Sequence, residues 1–367
     1  MFRCTVDLMT DFYRDYLPEY ITNRDSLSDI SNFCKQYYNL STSNAIFYGL
    51  NLQWPTFDFP DNFDCYLISF HTEYIDCDWL QQQTKNVYPN QVFLVSDYNI
   101  VDTSIWPDNL HCIQVHTLHW QLETAKLFAG ANTKPDMPVH KISSLSMRIT
   151  QYKKFVTAYI LNNFDPQEYV LSWNNWLAKD NDLHGLPPAY SDLESLSVSM
   201  PTFVNCNDDK DVVNLSPIFN ANWNHPAFTN SLFNCTNETW HYSTTMKNNN
   251  PFEYPGPYLT EKTMKPLLAG RPFVPVGQAG TIDHLTSLGF NTDFGIDFSY
   301  DRDKGDLTRI RKVFDVLDFI CSSDIQDLYQ ASLPAVVHNA THIQSGSLKS
   351  HVDDLNKSSL MELKNCL

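Results

Sequence analysis

The sequence predicts an α/β protein of two domains, each built on an open, wound, largely parallel sheet. Two observations predict the sheets: short apolar runs recur through the first half, and the last third reads helix–strand–helix. The third is length, since 367 residues suffice for two domains that each bury a core. The expected division is an N-terminal domain over 1–135, a second over 136–325 and a helical tail over 326–367 that packs back on the first domain.

In the first half, residues 45–50, 65–70, 91–95 and 112–115 are apolar runs bounded by Pro, Asn and Asp, as buried parallel strands are. Each is also short enough to be a buried piece of helix. Asp78 to Asn86 suits a crossover helix between the second run and the third. Asn132 to Pro138 is polar, holds two prolines and is the expected linker. Asp180 to Met200 reads as a long loop near a functional cleft. In the last third, Thr260 is placed to cap a helix from Glu261, with Met264, Leu267 and Leu268 on its apolar face and Gly270 ending it. A peripheral strand over 272–276 follows. Thr281 opens a further helix closed by Gly289, and Leu307, Ile310, Val313, Phe314 and Leu317 mark an amphipathic one. That order fits half of a Rossmann-like domain.

Composition excludes some functions. Lys and Arg number 25 against 42 Asp and Glu, a net charge of -17 with no basic run, whereas a nucleic-acid binder needs cations to displace counterions. No nucleic-acid partner is expected. The nine cysteines are odd in number, scattered and without C-x-x-C, which argues against a zinc module or disulfide scaffold and for a reducing compartment. Nothing resembles a secretory leader, and no stretch approaches the roughly 20 apolar residues of a membrane span. A soluble, cytoplasmic protein is expected, and the Asn-x-Thr triplets such as Asn234-Cys235-Thr236 carry no meaning for glycosylation. Aromatic residues make up 14% of the chain, which suits sugar-stacking surfaces as well as an ordinary packed core.

The segment richest in chemistry runs from Tyr258 through Thr260-Glu261-Lys262-Thr263 to Gly277. It places Glu and Lys in the first turn of a helix, where free N–H groups and the helix dipole attract phosphate. Lys262 adds a full positive charge. Glu261 would repel phosphate, so its useful role is to accept hydrogen bonds from ribose hydroxyls. The same spacing is also that of a plain helix start, with Glu set against the dipole and Lys solvated.

This segment resembles the C-terminal signature of the α1,3-fucosyltransferase family, the family-10 glycosyltransferases. There a Tyr-x-Thr-Glu-Lys string leads into a helix and a short Pro/Val strand ending in Gly. Leu232 to Thr239 is similar to the Phe-Glu-Asn element upstream of it, and a set of phage and large-virus proteins resembles the chain more closely still. They share Glu-Thr, the Thr-Glu-Lys-Thr-x-Lys-Pro string, Pro-Phe, a Gly-Phe (here in Leu288-Gly289-Phe290) and a Tyr-Asp pair (here in Ser299-Tyr300-Asp301), so the likeness covers about residues 230–315.

The resemblance implies a GT-B arrangement: two Rossmann-like domains facing across a cleft, with the nucleotide-sugar donor on the C-terminal one and the acceptor on the N-terminal one. It implies inverting transfer to a carbohydrate or other small hydroxyl acceptor, with no required metal or other cofactor. A GDP-sugar is the favoured donor and a UDP-sugar the alternative. Host cytoplasm is the implied location if the chain is viral. Residue by residue, Glu261 binds the ribose, Lys262 the diphosphate, Tyr258 lines the nucleotide pocket beside Thr260, and Glu238 sits near the sugar. A further basic residue is implied on the first strand–helix unit of the donor domain. Arg148 is the first candidate and Lys153 and Lys154 the next, with a solvated surface Arg the plain alternative. Asn237-Glu238-Thr239 stands where the family has aromatic-Glu-Asn, and an insertion around Asn248 precedes Tyr258, so fucose itself is not implied.

Inverting transfer needs a base for the acceptor hydroxyl. Glu73, just past a predicted strand with His71 beside it, is the first-half candidate, since catalytic groups collect at strand carboxyl ends in open α/β sheets. It is expected to face Glu261 across the cleft, and a surface loop Glu is the plain alternative. His116 and His119 form a second group. Asp76-Cys77-Asp78 is a D-x-D, a metal-binding pattern that also suits an ordinary helix start. Two other readings remain: a non-catalytic GT-B-like module binding glycans or nucleotides or serving in an assembly, and a viral DNA-base glucosyltransferase, which the acidic balance disfavours.

Overall fold

A computed structural model of the chain describes residues 3–5, 45–49, 65–70, 91–96, 110–114, 131–146, 151–173, 226–238, 244–247, 250–253, 257, 259–348, 350–352 and 354–355. The protein is mixed α/β and divides into two units, Met1–Thr117 with Val352–Leu367, and Leu118–His351.

The first unit holds strands β1 (Arg3–Thr5), β2 (Ala45–Gly49), β3 (Cys65–Phe70), β4 (Gln91–Ser96) and β5 (Leu110–Gln114). They form one parallel sheet in strict chain order, β1-β2-β3-β4-β5. The four apolar runs read from the sequence are β2 to β5, with edges shifted by a residue or two. Among the described strands the order never reverses, unlike the two-sided winding of a Rossmann-like half. The crossover expected over Asp78–Asn86 lies outside the described residues, as does the loop Asp180–Met200.

The second unit carries β6 (His140–Ser146), helix α1 (Gln151–Asn163), β7 (Tyr169–Trp173), the single turn α2 (Pro226–Thr229) and β8 (Ser231–Asn237). The hairpin β9 (Thr244–Lys247) and β10 (Asn250–Glu253) follows. Then come α3 (Glu261–Ala269), β11 (Phe273–Val276), α4 (Thr281–Ser287), α5 (Asp306–Ser322) and α6 (Ile325–Gln344). Four strands make a parallel sheet in the order β11-β8-β6-β7. Here the order does reverse: from β6 the chain first winds to β7, then to β8 and β11 on the other side. The crevice at such a reversal, at the strand carboxyl ends, is where open α/β sheets bind ligands.

β8 is buried throughout although four of its seven residues are Ser, Asn or Thr. Its neighbour β6 supplies partners for the two Asn side chains. Ser143 Oγ donates to Asn234 Oδ1 at 2.8 Å, and Asn237 Nδ2 donates to Ser144 Oγ at 2.7 Å. Paired in this way, buried amides and hydroxyls avoid most of the cost of leaving water.

Apolar packing surrounds this seam. On α1, Phe155, Val156, Ala158 and Ile160 are buried, and Tyr159 stacks on Phe314 of α5 with centroids 4.2 Å apart. Met264, Leu267 and Leu268 bury one face of α3, and Ile310, Val313, Phe314 and Leu317 one face of α5. β11 is the edge strand expected, yet it is fully buried. Arg309 of α5, 1% exposed, fastens its exit by donating to Gly277 O at 3.1 Å and Asp303 O at 2.8 Å. Asp301 caps α4, accepting from Thr281 N at 3.1 Å and Ile282 N at 2.8 Å. Burial lifts its carboxyl to about 6 despite those bonds and Arg309.

The stretch expected as a linker is tied to the second unit. Asn132 N and Nδ2 donate to Leu268 O at 2.8 Å and Ala269 O at 3.3 Å, capping the end of α3. Tyr329 and Arg271 donate to Pro135 O at 2.7 Å and Asp136 O at 2.8 Å. Gly270 lets this happen, with φ 66° and its Cα so close that a Cβ would lie 2.4 Å from Asn132 O. Gly270→Ala is expected to lose about 2–3 kcal/mol, the left-handed backbone accounting for roughly 1–2 of it. Urea denaturation checks this, and an unchanged midpoint would contradict it. Among the described residues no helix is long and apolar enough to cross a membrane.

Candidate functional site

The reversal between β6 and β8 sets the place. The chain leaves β6 at Ser146 and enters α1 at Gln151, while β8 ends at Asn237 and delivers Glu238. Against them α3 packs on β8 and β11 with its N-terminus at Glu238. Three segments distant in sequence therefore meet at the strand carboxyl ends.

Thr260 is the N-cap of α3, with extended backbone and a side chain accepting from Lys262 N at 3.3 Å. Its hydroxyl is fully used: it also accepts from Lys262 Nζ at 3.2 Å and donates to Glu238 Oε2. Glu238, 0% exposed, further accepts from Thr260 N at 3.3 Å and Thr263 Oγ1 at 2.5 Å. Tyr152 of α1 donates to the Glu238 carbonyl. A carboxylate at a helix N-terminus is electrostatically favoured, and here it is the protein's own.

Two sequence expectations bear on this turn. The turn was expected to offer free N–H groups to phosphate. Of these, Thr260 N points to Glu238, Lys262 N to Thr260 Oγ1, and Thr263 N to Thr260 O at 3.2 Å. Lys262 is half-buried, and its ammonium also donates to Thr260 Oγ1. Glu238, implied as a neighbour of the sugar, is turned inward as the clamp that sets the start of α3.

The other candidates divide as follows. Lys153 is the third residue of α1, buried at 5% exposure with Nζ 5.9 Å from the Tyr152 ring centre. Lys154 lies on α1 and Glu261 opens α3, but their side chains are outside the described residues. Glu73, His71, Arg148 and Tyr258 lie outside them altogether, as do His116, His119, Asp76 and Asp78. Among the described residues no group of three His, Cys, Asp or Glu is arranged to hold a metal. Cys235 is buried within β8, and burial pushes its thiol up to about 12.

Thr263 and Tyr152 were not anticipated. For Thr263 a signal existed: hydroxyls at positions 260 and 263 lie one helical turn apart, and such a pair can close on one carboxylate. Asn237 is a third omission. Its Oδ1 is buried without a partner, as is Thr236 Oγ1, beside the reversal point.

Comparison with known proteins finds no family model, no curated protein and no solved structure that matches this chain.

Proposed function

We propose that the chain is a glycosyltransferase of GT-B-like arrangement, moving a sugar from a nucleotide donor to a carbohydrate or other small hydroxyl acceptor with inversion. The observation that carries this reading is the meeting of Thr260, Lys262 and Glu238 at the carboxyl ends of β6 and β8, where the strand order reverses. In this reading the acceptor oxygen bonds the anomeric carbon as the nucleoside diphosphate leaves. Lys262 binds the diphosphate, with Arg148, Lys153 and Lys154 as the further basic candidates. Glu261 accepts from the ribose, Tyr258 lines the nucleotide pocket, and Glu238 with Thr260 and Thr263 holds the turn that carries them. Glu73, with His71 beside it, takes the acceptor proton. The GDP-sugar preference and the reducing, cytoplasmic setting belong to the same proposal.

Lys262→Ala is expected to weaken nucleoside-diphosphate binding by about 1.5–3 kcal/mol, the range for a hydrogen bond to a charged group. Titration calorimetry with GDP and UDP measures it, and equal affinity in both proteins would remove the donor from this helix. Activity is also expected to survive EDTA, because lysine and arginine side chains stabilise the charge on the leaving diphosphate. Complete loss with EDTA, restored by Mn²⁺, would instead favour Asp76 and Asp78 as a metal site.

One observation favours a second reading. Glu238 takes up donors at the very turn a phosphate would approach, which suits a non-catalytic module that binds a glycan rather than a nucleotide there. Release of free sugar or glycoside from the donor separates the two readings.

A further inference from the structure

The end of α4 is held in an unusual way. Three successive carbonyls, Ser287, Leu288 and Gly289, face three imidazoles from elsewhere in the chain. His351 Nε2 lies 2.6 Å from Ser287 O, His342 Nε2 3.0 Å from Leu288 O, and His338 Nε2 3.1 Å from Gly289 O. These are carbonyls that a helix leaves without partners at its C-terminus. His338 and His342 sit one turn apart on α6 with stacked rings 6.0 Å between centres, and the His342 and His351 rings are 6.5 Å apart. Phe290 closes the cluster edge-on to His342 at 5.5 Å. Gly289 makes room: with φ 86°, its added Cβ would lie 2.9 Å from His342 Nε2.

We propose that His338, His342 and His351 form an acid-sensitive latch, fastening the helical segment around His351 to the end of α4 at neutral pH and releasing it on acidification. Each ring must donate its Nε2 proton to a carbonyl, so the neutral tautomer with the proton on Nε2 suffices. One added proton is tolerated, since an imidazolium still donates there and is favoured at a helix C-terminus. A second and third are disfavoured, because the charges would stand about 6 Å apart, with His342 and His351 partly buried and His338 exposed.

The titratable groups acting on His342 are His338 from its own helix and His351 from the following segment. Among the described residues, the facing end of α4 contributes to that ring only a backbone carbonyl. Burial, then those two imidazoles, hold His342 below the ordinary histidine range against the pull of Leu288 O. The sign follows: the released state takes up protons near pH 6.5 that the docked state resists, so docking weakens as pH falls below about 6.5.

Release is expected to be local. α6 has a second, non-titrating hold on the same loop, with Asn339 Nδ2 donating to Asn291 O at 2.8 Å and Asn291 N to Asn339 Oδ1 at 2.7 Å. The segment carrying His351 leaves α6 at Gly346, whose φ of 77° breaks the helix.

Hydrogen exchange on the full chain at pH 7.5 and 5.5, expressed as protection factors, tests the latch. Residues 347–352 are expected to lose protection about tenfold at the lower pH while 325–340 keep theirs. The double variant His338→Gln with His351→Gln, which leaves a single imidazole and removes the repulsion between rings, is expected to show a clearly smaller loss. Equal protection of the wild-type segment at both pH values would overturn the proposal, as would an equal acid loss in the variant. Ring resonances of the wild type give a second test that needs no variant. His342 titrating below the ordinary histidine range supports the latch, and His342 titrating as a free histidine overturns it.

Discussion

Glu73→Gln is expected to leave nucleotide-sugar binding unchanged and to cut turnover by about 10²–10⁴-fold, the usual contribution of a general base. The amide matches the carboxylate in size and loses only its basicity. A change confined to turnover would therefore report proton removal. The motivation is position: Glu73 follows β3 by three residues, on the carboxyl side of the central strand of the first sheet. The base must come within about 3 Å of an acceptor oxygen already aligned with the anomeric carbon. Initial rates of transfer, set beside donor affinity from calorimetry, separate the two effects. Full turnover in the Gln variant would transfer the role to His71 or strengthen the binding-module reading.

Glu238→Leu is expected to cost about 3–5 kcal/mol of stability. It strands Thr260 N, Thr260 Oγ1 and Thr263 Oγ1 where solvent does not reach, and each orphaned buried donor costs roughly 1–3 kcal/mol before any relaxation. Glu238→Gln is a gentler probe of the same clamp. Its amide brings two protons towards hydroxyls that now donate, and Thr260 Oγ1 already accepts from both nitrogens of Lys262. About 1–3 kcal/mol is expected for that mismatch. Denaturant midpoints measure both variants, and wild-type stability in Glu238→Leu would show that the clamp does not hold α3. In the glycosyltransferase reading, Glu238→Gln also weakens donor binding, since Lys262 is aimed through Thr260.

Apolar periodicity and caps were legible in the sequence, and pairings between polar residues were not. β2 to β5 announce themselves as apolar runs. α3 announces itself through Thr260 and Gly270, with the αL backbone at Gly270 as expected. β8 stays hidden because Ser231, Asn234, Thr236 and Asn237 look like loop residues until Ser143, Ser144 and Ser146 on β6 pair with two of them. Asn132–Pro138 reads as a linker because proline and polarity signal a loop, and nothing local reveals that Asn132 caps a helix far along the chain. The site is legible to the same degree. Thr260 and Lys262 come from the string itself. The inward turn of Glu238 needs Thr263, and the crevice needs the strand order β11-β8-β6-β7, which only long-range pairing creates.

Melting of the wild-type chain with a panel of GDP-, UDP-, ADP- and CMP-sugars tests the central claim most directly, because a ligand that binds only the folded state must stabilise it. At concentrations about a hundredfold above the dissociation constant, one nucleotide class, GDP first, should raise the melting temperature by at least about 4 °C. No shift with any of the four classes at millimolar concentration would contradict a sugar-nucleotide site in this protein.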